Sequence, residues 1–138
     1  MKLALANVPF TPEHIDVLTR LAAQHGSVLT HFAPGSSLTP SELAEYDALL
    51  GSFPPKTVKA LPRLRWVQTP SAGVDHLRGA IEAGRTTLTN ASGAFGVPIA
   101  EYMMTGLLML YRRMPAYLKN QRAHIWRAEG TTRAIYGS

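Results

Sequence analysis

The sequence predicts an α/β domain built on a doubly wound parallel sheet of five strands. Three observations predict it. Short apolar runs alternate with helical patterns from the first residue to about residue 90, and the joins between them are brief stretches of Pro, Gly, Ser and Thr. A chain of 138 residues with 46% apolar content is also of the size and composition that supply one contiguous core. Strands separated by helices with short joins pair in parallel, with right-handed crossovers covering both sheet faces.

Each element has its own local reason. Lys2 to Asn7 is a short buried strand, and Thr11-Pro12-Glu13 supplies an N-cap, a proline at the first helical position and an early acid. A helix is expected from Pro12 to His25, with Ile15, Leu18, Leu21 and Ala22 as its buried stripe and Gly26 as its stop. Ser27 to Phe32 is the second strand, a short helix opens at Thr39-Pro40-Ser41-Glu42, and Tyr46 to Gly51 is the third strand. Pro54-Pro55 precedes a short helix ending near Leu61, and Arg65 to Thr69 is the fourth strand. A short helix over Leu77 to Ala83, closed by Gly84, leads to a fifth strand over Thr86 to Asn90. The expected strand order is flavodoxin-like.

From Val97 the pattern changes. Pro98 and Glu101 suit a helix start, and apolar residues then continue almost unbroken to Tyr111. A helix apolar on nearly every side must be buried on nearly every side, so this one expects a second body, either another domain or another copy of itself. Pro115 is expected to break it, with a second segment over Ala116 to Arg127 in which Tyr117, Leu118, Ile125 and Trp126 are available for packing. Three parts result: a lobe over 1–96, a helical region over 97–127 broken near Pro115, and a weakly patterned tail over 128–138.

Bulk properties exclude several classes. The chain has no cysteine, so disulfides, thiolate metal sites and thiol nucleophiles are out, and the cytoplasm is its simplest home. Asn7 and Pro9 interrupt the apolar start before it reaches signal-peptide length, and no later run could span a bilayer. The net charge of +5 is lopsided: eight cations face seven acids up to residue 90, and six face two beyond it. Those six (Arg112, Arg113, Lys119, Arg122, Arg127 and Arg133) lie among apolar residues without the glycine or aromatic interleaving that stacks bases, which favours a solvated or partner-facing helix over a nucleic-acid surface.

In an open α/β sheet, ligands bind beyond the carboxyl ends of the strands. Here those positions hold Asn7, Ala33, Ser52-Phe53, Pro70-Ser71-Ala72-Gly73 and Ala91-Ser92-Gly93. Small residues let backbone N–H groups approach an anion, so Pro70 to Gly73 suits a carboxylate or phosphate cradle and equally an ordinary tight turn. Asp75 is expected as an N-cap or first-turn acid. The segment Asn90 to Glu101 contains glycines three apart but no GxGxxG, so a dinucleotide fingerprint is missing. His14, His25, His31, His76 and His124 have no acids at ligand spacing and read as surface or capping residues, with no metal site; no serine occupies a nucleophile elbow, and no residue is a credible general acid or base.

The stretches LRWVQTPSAGVDHL, TLTNASGAFGVPIAEYMM and RRMPAYLKNQRAHIW resemble the N-terminal part of the NAD(P)-dependent D-2-hydroxyacid dehydrogenases, over nearly the whole chain. The resemblance implies a flavodoxin-like substrate-binding domain in which the amides of Ser71, Ala72 and Gly73 hold the carboxylate of a small 2-oxo or 2-hydroxy acid. By the same resemblance Phe53 lines the substrate pocket, Ile99 approaches the nicotinamide of NAD or NADP, and the helix over 98–111 lies at a homodimer interface. It further implies a chain cut short before the nucleotide-binding domain, with the catalytic Arg, acid and His in the missing portion, and therefore inactive alone. The alternative is a stand-alone flavodoxin-like binding or interaction module. A phospho-receiver would need acids where this chain has Asn7 and Ser52, and a flavin phosphate loop would be rich in Ser and Thr where NVPFTPEH stands.

Overall fold

The computed structural model describes residues 1–137, which fall into two compact units, Met1–Gly93 and a second beginning at Ala94. The first unit is a five-stranded sheet of β1 (Lys2–Ala6), β2 (Val28–His31), β3 (Ala48–Gly51), β4 (Trp66–Gln68) and β5 (Thr87–Thr89). All four pairings are parallel and the order is β2-β1-β3-β4-β5, as the alternation of elements predicts. The register pairs Leu3 with Ala48, Ala48 with Trp66 and Trp66 with Thr87, so the central strands β1 and β3 carry the most buried side chains. Ala4, Leu49, Val58, Leu61, Leu64, Val67 and Leu77 form the core with Phe53.

Helix starts follow their cap residues. In α1 (Pro12–Gln24), Thr11 accepts from the His14 backbone N–H and donates its own N–H to His14 Nδ1, both at 3.4 Å, so His14 is a capping residue. In α2 (Pro40–Leu43), Thr39 and Glu42 form the same reciprocal box, and α3 (Pro55–Lys59) starts on proline. β3 needs its closing glycine: Gly51 has φ +127°, and a Cβ there would stand 1.9 Å from the Ala6 carbonyl oxygen.

Two expectations are corrected and a third is narrowed. The stripe on α1 is only half covered: Ile15, Leu18 and Ala22 are half-buried and Leu21 is exposed, because α1 packs on β2, an edge strand whose own Val28 is exposed. No helix forms over 77–83. A single 3₁₀ turn, Asp75–Leu77, is followed by turns in which Gly79 and Gly84 take left-handed φ of +79° and +82°, which an α-helix cannot hold. Val74 is the cap residue of that turn and makes no side-chain cap bond, so Asp75 is a first-turn acid.

In the second unit, α4 (Gly96–Tyr111) and α5 (Met114–Arg122) are separate helices. The break falls at Arg112-Arg113, with Arg113 left-handed at φ +55°, and Pro115 sits inside the first turn of α5 instead of kinking a helix. α5 also stops at Arg122, before His124 at φ +54°, so Ile125 and Trp126 lie beyond it and are exposed. The segment after α5 is tied back by polar contacts: Glu129 accepts from Arg127 Nε at 2.7 Å and from Asn120 Nδ2, its N–H donates to Tyr117 Oη at 3.2 Å, and Arg113 Nε donates to the Thr131 carbonyl at 3.0 Å. The Arg127 bond, then the Asn120 bond, hold the Glu129 carboxyl below its ordinary pKa. No residue of α4 is buried.

Candidate functional site

The two ends of the sheet differ in chemistry. At the amino ends of the strands, Asp47 accepts from the Lys2 backbone N–H at 2.8 Å and from Arg63 at 3.1 Å, while Lys2 pairs with Glu45. The Lys2 N–H, followed by Arg63, holds the Asp47 carboxyl below its ordinary range. That end is occupied by its own ion pairs.

At the carboxyl ends, Asn7 closes the crevice at the β1/β3 switch point. Its Nδ2 donates to the Ser52 carbonyl at 3.1 Å and its Oδ1 accepts from the Gly35 N–H at 3.0 Å, so one left-handed residue joins the loops after β1, β2 and β3. The sequence marks Asn7 only as a position after a strand, and the bridging role is visible only in the fold.

The open place is the loop after β4. Three of its carbonyls are engaged: Ser71 O accepts from the Ala91 N–H at 3.1 Å and Thr69 Oγ1 at 3.0 Å, Ala72 O from Asn90 Nδ2 at 2.9 Å, and Gly73 O from Ser71 Oγ at 2.8 Å. Among the described residues, no protein acceptor takes the backbone N–H of Ser71, Ala72 or Gly73. Ala72 and Gly73 are exposed. In a trans peptide the C=O of one residue and the N–H of the next point in opposite directions, so the held Ser71 and Ala72 carbonyls turn the Ala72 and Gly73 N–H groups away from Ala91 and Asn90, the polarity an anion needs.

Beside the loop, a cavity of about 120 Å³ is lined by Ser52, Phe53, Thr69, Ser71 and His76. Phe53 is a core residue at 5% exposure whose ring closes one wall of that cavity, whereas Ser71 bridges cavity and loop. The structure therefore brings Phe53, Ser71, Ala72 and Gly73 to one end of the first unit. Ile99 belongs to the second unit, where it is exposed on the first turns of α4. A larger cavity of about 750 Å³ also lies in that unit, lined by Tyr117, Leu118, His124 and Trp126 among others. No group of three or more His, Asp or Glu that could hold a metal occurs among the described residues, and none of their helices is long and apolar enough to cross a membrane.

Asn90 is the residue that sequence reading missed. It appeared only as the end of a strand, though an Asn followed two residues later by Ser and then Gly is a signal for a side chain that caps its own turn.

No protein-family model and no curated protein matches the chain. Solved structures do match it. A D-isomer-specific 2-hydroxyacid dehydrogenase family protein from Aeromonas salmonicida superposes with a TM-score of 0.74 at 26% identity, over 95% of this chain and 42% of that one. The chain shares the fold of D-isomer-specific 2-hydroxyacid dehydrogenases. D-lactate dehydrogenase from Aquifex aeolicus, solved with NAD and lactic acid, gives a TM-score of 0.74 at 16% identity over 95% of this chain and 40% of its own. NAD-dependent formate dehydrogenase from Staphylococcus aureus, solved with NAD, gives 0.70 at 17% identity over 92% and 43%. The chain thus spans less than half the length of each of these dehydrogenases.

Proposed function

We propose that this chain is the substrate-binding lobe of an NAD(P)-dependent D-2-hydroxyacid dehydrogenase, and that the Ser71-Ala72-Gly73 amides hold the carboxylate of a small 2-oxo or 2-hydroxy acid. One observation carries the reading: the three carbonyls of Ser71, Ala72 and Gly73 are consumed inside the protein while their three amides have no protein acceptor among the described residues. Two or three converging N–H donors suit a carboxylate, and charge-assisted bonds of this kind are the stronger class of hydrogen bond. Phe53 would give the adjoining wall an apolar surface for the acid's carbon chain.

NAD or NADP supplies the hydride in such an enzyme. The residues present fit at most one face of a nicotinamide, since Ile99 offers an exposed apolar side chain but the chain has no GxGxxG turn to hold a pyrophosphate. Nor does any acid or base stand in the amide loop itself, where Ser71 and Ala72 carry the only side chains; the nearest histidine, His76, lines the adjoining cavity. Hydride transfer would need a nucleotide-holding turn that this sequence does not contain, so we expect the chain to be inactive by itself. The cysteine-free composition fits a cytoplasmic enzyme, and the uncovered apolar α4 fits a homodimer formed through that helix.

The test is an NMR titration of the ¹⁵N-labelled chain with pyruvate, glyoxylate, acetone and NADH. Both 2-oxo acids should move the amides of Ser71, Ala72 and Gly73, whereas acetone, lacking the carboxylate, and NADH should leave them in place. Shifts centred elsewhere, or equal shifts with acetone, would refute the cradle.

A further inference from the structure

The amide loop is aimed from outside itself. The direction of each N–H in a trans peptide is fixed by where the preceding carbonyl points. The Ser71 carbonyl is held by the Ala91 backbone N–H and by Thr69 Oγ1, which together set the Ala72 N–H. The Ala72 carbonyl, which sets the Gly73 N–H, has one donor among the described residues: Asn90 Nδ2 at 2.9 Å, reaching across from the end of β5. The other end of the Asn90 amide is fixed as well, because Oδ1 accepts from the Ser92 N–H at 3.1 Å. Both ends of the Asn90 amide thus have partners within the protein, which favours the rotamer that makes both bonds.

The residues around it are ordered by a continuous chain of bonds. Trp66 Nε1 donates to Thr89 Oγ1 at 2.8 Å, Thr89 Oγ1 donates to Gln68 Oε1 at 2.6 Å, and Gln68 Nε2 donates to the Thr69 carbonyl at 2.7 Å. This chain couples the strand that carries the loop to the strand that carries Asn90. The cradle is therefore supported from β4 and β5 together.

We infer that Asn90 is a positioning residue for carboxylate recognition: it pins the Ala72 carbonyl and so turns the Gly73 N–H outward to the substrate. This rests on the cradle reading above. Asn90 need not touch the substrate, and its effect should be read at Gly73, with Ala72 as the internal control because its N–H is set by a backbone bond.

Two variants separate the two bonds of Asn90. Asn90→Ala loses both, whereas Asn90→Asp keeps an acceptor for the Ser92 N–H and loses the donor to Ala72. In a pyruvate titration followed by ¹⁵N shifts, both variants should bind about tenfold more weakly, the effect of one positioned hydrogen bond. The Gly73 response should be reduced more than the Ala72 response in both, with the melting temperature of each within a few degrees of the unsubstituted chain. Unchanged affinity in the variants would overturn the role of Asn90 and leave the cradle standing. Loss in Asn90→Ala alone would mean that the Ser92 turn is what matters, and loss in Asn90→Asp alone that the added charge is; either overturns the inference. An unsubstituted chain silent at both amides would overturn the cradle, and this assignment with it.

Discussion

Leu49 and Leu107 are the same residue in opposite circumstances. Leu49, at the centre of β3, is 0% exposed; Leu107, at the centre of α4, is 36% exposed, and Leu110 one turn on is 70% exposed. By sequence α4 is much the longer apolar segment of the two, yet none of its residues is buried. A strand inside a parallel sheet receives neighbours on both edges and covering chain on both faces from its own crossovers. A helix has no such arrangement built into its topology and must find a surface elsewhere. Apolarity states that a segment seeks cover, but only pairing geometry states which body supplies it.

The contrast can be broken most directly at its two ends. Leu49→Ala should cost about 3 kcal/mol in denaturant unfolding, because it empties a fully enclosed site. Leu110→Ala should cost less than about 0.5 kcal/mol in the monomer. Equal losses at the two positions would mean that α4 is core, and the distinction would collapse.

Self-association sharpens it further. If α4 is covered by a second copy, light scattering should report a dimer, and Leu107→Asp should return the mass to that of a monomer with the unfolding curve of the lobe unchanged. A unsubstituted chain that stays monomeric at high concentration would remove α4 as a self-association surface.

The smallest effect lies at the amino ends of the strands. The lowered pKa of Asp47 means that its carboxylate stabilises the fold above the ordinary value of 3.8, a contribution lost as pH falls through the lower native value. Asn at this position can still accept from the Lys2 N–H but cannot pair with Arg63. Asp47→Asn should therefore lower stability at neutral pH by less than about 1 kcal/mol, since Arg63 is largely solvated, and the difference should close well below pH 3.8. A difference that persists in acid would mean that shape, not charge, is what Asp47 contributes.

Much of the fold was legible because it rests on local rules. Thr11-Pro12 and Thr39-Pro40 announced their helices, and the five strands lie where their apolar runs stand, each a residue or two shorter. The misplaced helix over 77–83 and the misplaced break near Pro115 share a cause. Both turn on residues in left-handed backbone, Gly79 and Arg113, whose conformation is imposed by what the chain must do next.

The candidate site divides in the same way. Ser71, Ala72 and Gly73 were singled out by their small size after a strand, a property each residue carries with it. Asn7 and Asn90 were not, since a side-chain amide acquires its role only when a particular carbonyl or N–H arrives opposite it. Asn90 lies 18 residues from the Ala72 carbonyl it holds.

The sequence by itself determined the order of the five strands, their parallel pairing and the starts of the capped helices, because capping, periodicity and residue size act over a few neighbours. Tertiary structure decided which way the amides of the loop after β4 face and which apolar residues are enclosed. Both are settled by contacts between strands distant in the chain, where a carbonyl or a leucine takes its meaning from the group that folding places against it.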